Sequence, residues 1–259
     1  MAGFAFDQAV AVVTGGAGGI GQALAAGLTE EGCRVAVVDL EAGRAEEAAS
    51  RLEGAIGLSA DVGDQAAVAT MLEAAERRLG PVDIYCSNAG VASGEGLGDD
   101  EAWDRSWRVH GLAHVYAART VVPGMIERGS GAFVVTASAA GLLMMMQSAP
   151  YTVTKHASVA ITEWLAVNYG GAGVQFHCLC PQGVRTPMVS NDPKGEAEVA
   201  ASGRILEPAV VASEVIAAVR HNRFLVLPHP EVHEYEKVKV DDRDAWLAGM
   251  RRLLSRVSR

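Results

Sequence analysis

Thr14-Gly15-Gly16-Ala17-Gly18-Gly19-Ile20-Gly21 follows a near-continuous apolar run over residues 8–14 (QAVAVVT) and opens an Ala/Leu-rich helical pattern over residues 20–31. A run apolar at every position reads as a strand buried on both faces. Glycines at its end permit a tight turn and bring backbone N–H groups at a helix N-terminus close to a bound diphosphate. Gly16, Gly18 and Gly21 satisfy the common dinucleotide spacing, but the motif alone leaves the register open. A glycine-rich turn says little in isolation, and its place between strand and helix is what gives it meaning.

The same alternation continues outward from this turn. Strands are expected over residues 33–39, 55–60, 82–87, 131–138, 174–180 and 224–227. Helices are expected over residues 44–52, 65–79, 101–128 (with a break near Gly111), 151–169 and 209–221. In the helix over 65–79 the apolar positions Val68, Met71, Leu72, Ala75 and Leu79 recur at helical spacing. Apolar strands separated by helices predict an α/β fold, a doubly wound parallel sheet of Rossmann type, with the 259 residues in a single domain.

Composition narrows the partners. Residues are 49% hydrophobic and the formal net charge is −9, so nucleic acid and anionic membrane surfaces should be repelled. No stretch approaches the ~20 apolar residues of a membrane span, and the N-terminus lacks the basic region and apolar run of a signal peptide. Cys33, Cys86, Cys178 and Cys180 lie in or beside apolar segments, as small hydrophobes in a reducing, cytoplasmic setting. Cys178 and Cys180 share a strand face, but no nearby His or Cys cluster completes a metal site, and none is expected.

Asp39 ends the second strand, 18 residues beyond Gly21, where a carboxylate accepts hydrogen bonds from ribose hydroxyls. It would also repel a 2′-phosphate, and no Arg or Lys lies in the turn or directly after Asp39, so NAD is expected rather than NADP. Asp39 as a cap for the next helix is the competing reading. Asn88-Ala89-Gly90 closes the fourth strand with small residues that leave room for a cofactor, or simply form a turn.

Tyr151 and Lys155 stand four apart, on one face of a helix, with Ser138 at the end of the preceding strand. A free phenol has a pKa near ~10 and is a poor base at neutral pH. A lysine cation and an oxidised nicotinamide beside it favour the phenolate. Ser138 can then hold a substrate oxygen while hydride passes to or from the adjacent carbon.

In order and spacing, Thr14–Gly21, Asn88–Gly90, Ser138, Tyr151 and Lys155 resemble the short-chain dehydrogenase/reductases, in their single-domain branch of about this length. The resemblance runs from the first strand to Leu227. It implies that Gly15, Gly19 and Gly21 define the register, with Ile20 beside them, and that Asp61-Val62 bonds the adenine. It further implies Tyr151 as acid/base, Lys155 on the nicotinamide ribose, Ser138 on the substrate, and Thr186, in Pro181-Gln-Gly-Val184-Arg-Thr186, on the carboxamide. Asp61 as a cap for the helix at Gln65, and Thr186 as a plain loop residue, are the bland alternatives. A homotetramer is also implied.

The chain departs from that family at three places. Gly18 stands where a polar residue is usual, and Gln182 where a glycine is usual. His110 occupies the position of the catalytic asparagine. Its imidazole joins a proton relay, or is simply accommodated while the backbone carbonyl holds a water.

On the substrate side, Leu142-Leu-Met144-Met145-Met146 between Ser138 and Tyr151 suits a hydrophobic, ring-containing alcohol or ketone, or else packs in the core. Residues 182–208 read as a lid, with Met188 and Val189 closing on the same site. Apart from Arg185, the pocket segments carry no carboxylate clamp. At the C-terminus, over residues 242–257, Trp246, Leu247, Met250, Leu253, Leu254 and Val257 form one helical stripe, expected to pack on its own subunit or a neighbour. These features favour an NAD-dependent secondary-alcohol dehydrogenase or ketoreductase. A dihydrodiol-type dehydrogenase and a dinucleotide-binding regulator without turnover are the alternatives.

Overall fold

Alternate residues of β1 (Val10–Thr14) enter different cores. Val10 and Val12 pack with Met71, Leu72, Val121 and Met125, whereas Ala11 and Val13 pack with Leu24, Leu28, Val215 and Val219. A strand covered on both faces favours apolar side chains, which is why Val10–Val13 are all apolar, and the buried hydroxyl of Thr14 at its end is bonded to the Cys86 carbonyl. Each fully buried valine here contributes roughly 1.5–3 kcal/mol.

The computed structural model describes residues 4–92, 94–190 and 203–257. After β1 come α1 (Gly19–Glu30), β2 (Arg34–Asp39), α2 (Ala42–Ser50), β3 (Ile56–Ser59), α3 (Gln65–Leu79) and β4 (Ile84–Ser87). Then follow α4 (Asp100–Trp107), a π-helical turn (Arg108–Leu112), α5 (Ala113–Arg128), β5 (Gly131–Thr136), α6 (Ala149–Tyr169) and β6 (Val174–Leu179). The described chain ends with α7 (Pro187–Ser190), α8 (Pro208–Arg220), β7 (Leu225–Val226), α9 (Glu231–Asp241) and α10 (Arg243–Val257). All strand pairs are parallel, in the order β3-β2-β1-β4-β5-β6-β7. Strand order reverses between β1 and β4, and the carboxyl ends on either side of that reversal frame a crevice.

The doubly wound sheet is as expected, and the differences lie at element ends. β1 begins at Val10 because Gln8 adopts a left-handed conformation, φ 63°, in the preceding turn. β5 stops at Thr136, and Ser138 instead caps a 3-10 turn (Ala139–Gly141), its Oγ accepting from the Ala140 N–H at 3.1 Å. The expected break near Gly111 is the π-turn. Helix α9 was not anticipated, because its burial is confined to Val232 and Lys239 and leaves no apolar stripe to read.

Candidate active site

The strand ends deliver the expected residues to one cavity in the order of the sheet. Asp61 follows β3, Asp39 ends β2, Gly15 follows β1, Asn88 follows β4, Ser138 follows β5 and Pro181 follows β6. These residues line a cavity of about 450 Å³, together with Gly19, Ile20, Val62, Ala89, Gly90, Tyr151, Lys155, Val184, Thr186 and Met188.

The glycine register is decided by backbone geometry. Gly15 and Gly19 have φ of 62° and 53°, a region side chains rarely adopt, and a Cβ on Gly21 would stand 2.1 Å from the Gly15 carbonyl oxygen. Gly18, which the commoner fingerprint requires, has a φ of −164° and only the tip of Arg44 nearby. Gly21 lies beneath the turn and does not line the cavity. Asn88 staples three strands. Its Nδ2 donates to the Thr14 carbonyl at 3.0 Å, its Oδ1 accepts from Thr136 Oγ1 at 2.9 Å, and its N–H donates to Thr14 Oγ1 at 2.9 Å.

At the acidic end, Asp39 accepts from the Ala17 N–H at 3.3 Å and the Leu40 N–H at 3.0 Å, tying β2 to the glycine turn. It is not a helix cap, since Glu41 occupies that position on α2. Arg44 stands 3.9 Å from the Asp39 carboxylate and lines the same cavity, a cation that proximity in sequence did not reveal. Asp61 is not the cap of α3 either. Asp64 holds that place, accepting from the Ala67 N–H at 2.8 Å, and this leaves Asp61 facing the cavity.

Tyr151 and Lys155 occupy the first two turns of α6, where Ser148 caps the helix by accepting the Tyr151 N–H at 3.2 Å. Lys155 is 3% exposed, donates from Nζ to the Thr136 carbonyl at 2.9 Å, and stands 5.7 Å from the Tyr151 ring centroid. Burial lowers its pKa to about 8, against the opposing pull of Cys180 and Cys178. Burial also raises the Tyr151 phenol above its usual value, while the Ser138 side-chain hydrogen bond acts in the other direction.

His110 is buried behind Tyr151, its ring edge-on at 5.4 Å between centroids, and it lines neither cavity. The Val91 N–H donates to Nε2 at 3.1 Å, so the proton sits on Nδ1, which meets Thr154 Oγ1 at 3.0 Å. Thr154 passes its own hydroxyl proton to the Pro150 carbonyl at 2.7 Å. Burial first, then the Lys155 cation, holds the imidazole well below its ordinary pKa. The π-turn presents the His110 carbonyl to Ser158, whose Oγ donates to it at 2.6 Å. One turn on, buried His114 pairs with Ser87 Oγ at 2.7 Å.

Ser138, Tyr151, Gln182, Met188 and Val189 also line a second, larger cavity of about 800 Å³. Met144, Met145 and Met146 line it. Its far wall is Tyr235 and Val238 of α9 with Trp246, Met250 and Leu253 of α10. The C-terminal stripe is thus divided rather than uniformly packed: Trp246, Met250 and Leu253 face the cavity, while Leu247 and Leu254 remain exposed. Arg185 is not a clamp for this cavity, because it pairs with Glu207 at 2.6 Å. Arg105 and Arg252 line the cavity instead, and nothing in the spacing of the sequence marked them.

Gln182 sits at the junction of the two cavities, its N–H donating to His229 Nδ1 at 3.2 Å and its Oε1 buried without a partner among the described residues. The expected lid is pinned where it leaves and rejoins the fold, Arg185 N–H to the Leu206 carbonyl and Leu206 N–H to the Gly183 carbonyl, both at 2.9 Å. Its residues 191–202 lie outside the described residues. The four cysteines are buried and free, with Cys178 and Cys180 sulfurs 3.8 Å apart. Among the described residues, no three His, Cys, Asp or Glu side chains come together as a metal set, and no helix is long and apolar enough to cross a membrane.

A parallel sheet with a glycine turn at its switch point, and a Ser-Tyr-Lys set at the mouth of a second cavity, is the arrangement of a nucleotide-dependent oxidoreductase. The family model for short chain dehydrogenases matches residues 9–197, and the chain belongs to that family. It is 33% identical to the 1-deoxy-11-beta-hydroxypentalenate dehydrogenase of Streptomyces exfoliatus, with 90% of this chain and 87% of that protein covered. It is 36% identical to the 2-(S)-hydroxypropyl-CoM dehydrogenase 3 of Xanthobacter autotrophicus over 66% of this chain and 70% of that protein. Among solved structures, a short chain dehydrogenase/reductase from Burkholderia phymatum in complex with NAD superposes with a TM-score of 0.85 at 27% identity, covering 93% of this chain and 96% of that one.

Proposed function

We propose that this protein is an NAD-dependent oxidoreductase interconverting a hydrophobic secondary alcohol and its ketone, with Tyr151 carrying the proton. The observation that supports it most is the meeting of Ser138 and Tyr151 at the junction of the two cavities, with Lys155 buried one helical turn behind. The first cavity suits the dinucleotide. Its glycine turn at the N-terminus of α1 can receive a diphosphate, and the Asp39 carboxylate can accept from the adenosine ribose hydroxyls. Asp61-Val62 would bond the adenine and Thr186 the carboxamide, and all three line this cavity.

When bound, the nicotinamide supplies or receives the hydride. In the oxidation direction, Ser138 donates a hydrogen bond to the alcohol oxygen and Tyr151 as phenolate takes its proton, so that the C–H pair leaves as hydride and a ketone forms. Lys155, held by Thr136, places a cation beside the phenolate. His110 acts by position. Its Nε2 accepts from the Val91 backbone N–H, which has no proton to pass on, so the ring holds that backbone and packs against Tyr151 rather than carrying protons. Residues 182–208 serve as the lid. A homo-oligomer, a tetramer by family likeness, belongs to the same reading; Val153, Trp164 and Val167 expose apolar surface along α6 in keeping with it. So does a cytoplasmic location, in keeping with the four free thiols.

The test is NADH formation from NAD and a panel of hydrophobic secondary alcohols. Turnover abolished in Tyr151→Phe with NADH binding retained is the expected result. Cofactor binding with no turnover across the panel would instead identify a non-catalytic dinucleotide-binding protein.

A further inference from the structure

Lys239 is a lysine that a surface helix would normally hold out in water, yet it is 8% exposed and has no carboxylate within ion-pair distance among the described residues. Its three ammonium hydrogens have three acceptors instead: the Leu142 carbonyl, the Leu143 carbonyl at 2.9 Å, and His156 Nε2 at 3.3 Å. Nδ1 of His156 meets the Thr152 carbonyl at 2.8 Å and so carries the ring proton, which leaves Nε2 free to accept. The two carbonyls directly follow the 3-10 turn that Ser138 caps, where helical hydrogen bonding runs out and a cation is favoured. The same ammonium lies 5.2 Å from the Trp246 ring centroid.

These contacts join opposite sides of the larger cavity. Leu142 and Leu143 lead into Met144–Met146, which line one side, while Tyr235 and Val238 on the helix of Lys239, and Trp246 on α10, line the other. Trp246, Met250 and Leu253 recur at helical spacing, so α10 turns an apolar face toward the site at Ser138 and Tyr151.

We propose that α9 and α10 form a specificity wall for bulky, ring-containing apolar secondary alcohols, and that Lys239 is the positioning residue that holds this wall against the methionine segment. The inference rests on the oxidoreductase reading above and adds to it the size class of the substrate. A short alcohol reaches Ser138 and Tyr151 but leaves the apolar wall unfilled, whereas a fused-ring alcohol buries its hydrocarbon against it. Binding energy from that contact, remote from the reacting carbon, is what separates the two substrates.

The experiment compares 2-decalol, a bicyclic secondary alcohol, with 2-butanol in the NAD-loaded full chain. Wild type should show kcat/KM at least 100-fold higher for 2-decalol. In Lys239→Met this ratio should fall at least tenfold, chiefly through a higher KM for 2-decalol, with NADH affinity by fluorescence retained. Trp246→Ala, at a half-buried site on the same wall, removes the ring that the Lys239 ammonium faces while leaving its three hydrogen-bond acceptors in place, and should lower the ratio likewise. An unchanged ratio in both variants overturns the inference, as does an equal loss of kcat for both alcohols, which would mark a general structural role. Wild-type turnover of 2-butanol in preference to 2-decalol overturns the inference alone and leaves the oxidoreductase reading standing. If neither alcohol is turned over, the oxidoreductase reading is decided by the wider alcohol panel, and the wall is judged by binding. A tryptophan fluorescence change on adding 2-decalol to the NADH complex, lost in Trp246→Phe, upholds it, and no change overturns it.

Discussion

Lys155 should leave a measurable imprint on stability as well as on activity. It is buried and, as the cation, is stripped of water in the folded chain, which brings its pKa to about 8 from the ordinary 10.5. The sign follows from linkage. A base whose folded pKa lies below its unfolded one opposes folding most when both states are protonated, below about pH 8. That penalty is relieved as pH rises toward 10.5. At about 1.36 kcal/mol per pKa unit the full effect is roughly 3 kcal/mol, of which about 2 kcal/mol is recovered between pH ~7 and ~9.5.

Wild type alone would not display it. Cys33 and Cys86 have thiols that burial pushes up to about 12, and the buried Tyr85 phenol is also raised, so all three destabilise the fold over the same alkaline range. The informative quantity is therefore the difference between wild type and Lys155→Met, in which those contributions cancel. The lost bond to the Thr136 carbonyl adds a pH-independent term of about 1 kcal/mol. Urea unfolding of both proteins at a series of pH values should show wild type gaining on the variant by about 2 kcal/mol from pH ~7 to ~9.5. A difference that stays flat with pH would mean that Lys155 is not held as a desolvated cation, and the account of its pairing with Tyr151 would fall with it.

Two further substitutions test the neighbours of this pair. His110→Asn should leave the shape of the pH profile of kcat/KM unchanged between about pH 6 and 8, because Nε2 accepts from a backbone N–H that passes on no proton and the ring is held neutral; loss of the Val91 and Thr154 bonds should lower stability by about 1–2 kcal/mol. A displaced acidic limb in the pH profile would restore the proton-relay role. Asp39→Ala should reduce the preference for NAD over NADP by at least about tenfold, or about 1.4 kcal/mol, since it removes the carboxylate and leaves Arg44 free to meet a 2′-phosphate. Kd values for NADH and NADPH from fluorescence titration decide it, and an unchanged ratio would locate cofactor choice elsewhere.

Local patterns carried much of this protein into view. The two-sided burial of β1 is written as a near-continuous apolar run, the glycine turn lies at the strand–helix joint where a diphosphate would be received, and Tyr151 and Lys155 stand one helical turn apart. Each of these is legible because its cause is short in range, namely strand pleat, helix pitch or the steric limits on φ. The register of the glycines was not, because Gly16 and Gly18 with Gly21 match the common dinucleotide spacing, whereas the family resemblance points to Gly15 and Gly19 with Gly21. It took the left-handed backbone at Gly15 and Gly19, which Gly18 lacks, to separate them.

Groups distant in sequence became neighbours only through packing. Lys239 grips carbonyls 97 and 96 residues away, and Trp246 faces the cavity that Met144–Met146 line. A buried lysine held by backbone carbonyls has no signature of its own, since the carbonyls are common to every residue and only the fold chooses which of them converge. The sequence by itself therefore determined the sheet, the turn and the identity of the Ser-Tyr-Lys set. Tertiary structure alone decided what surrounds that set: the locked tautomer of His110, the desolvation of Lys155, and a far wall built from the C-terminal helices.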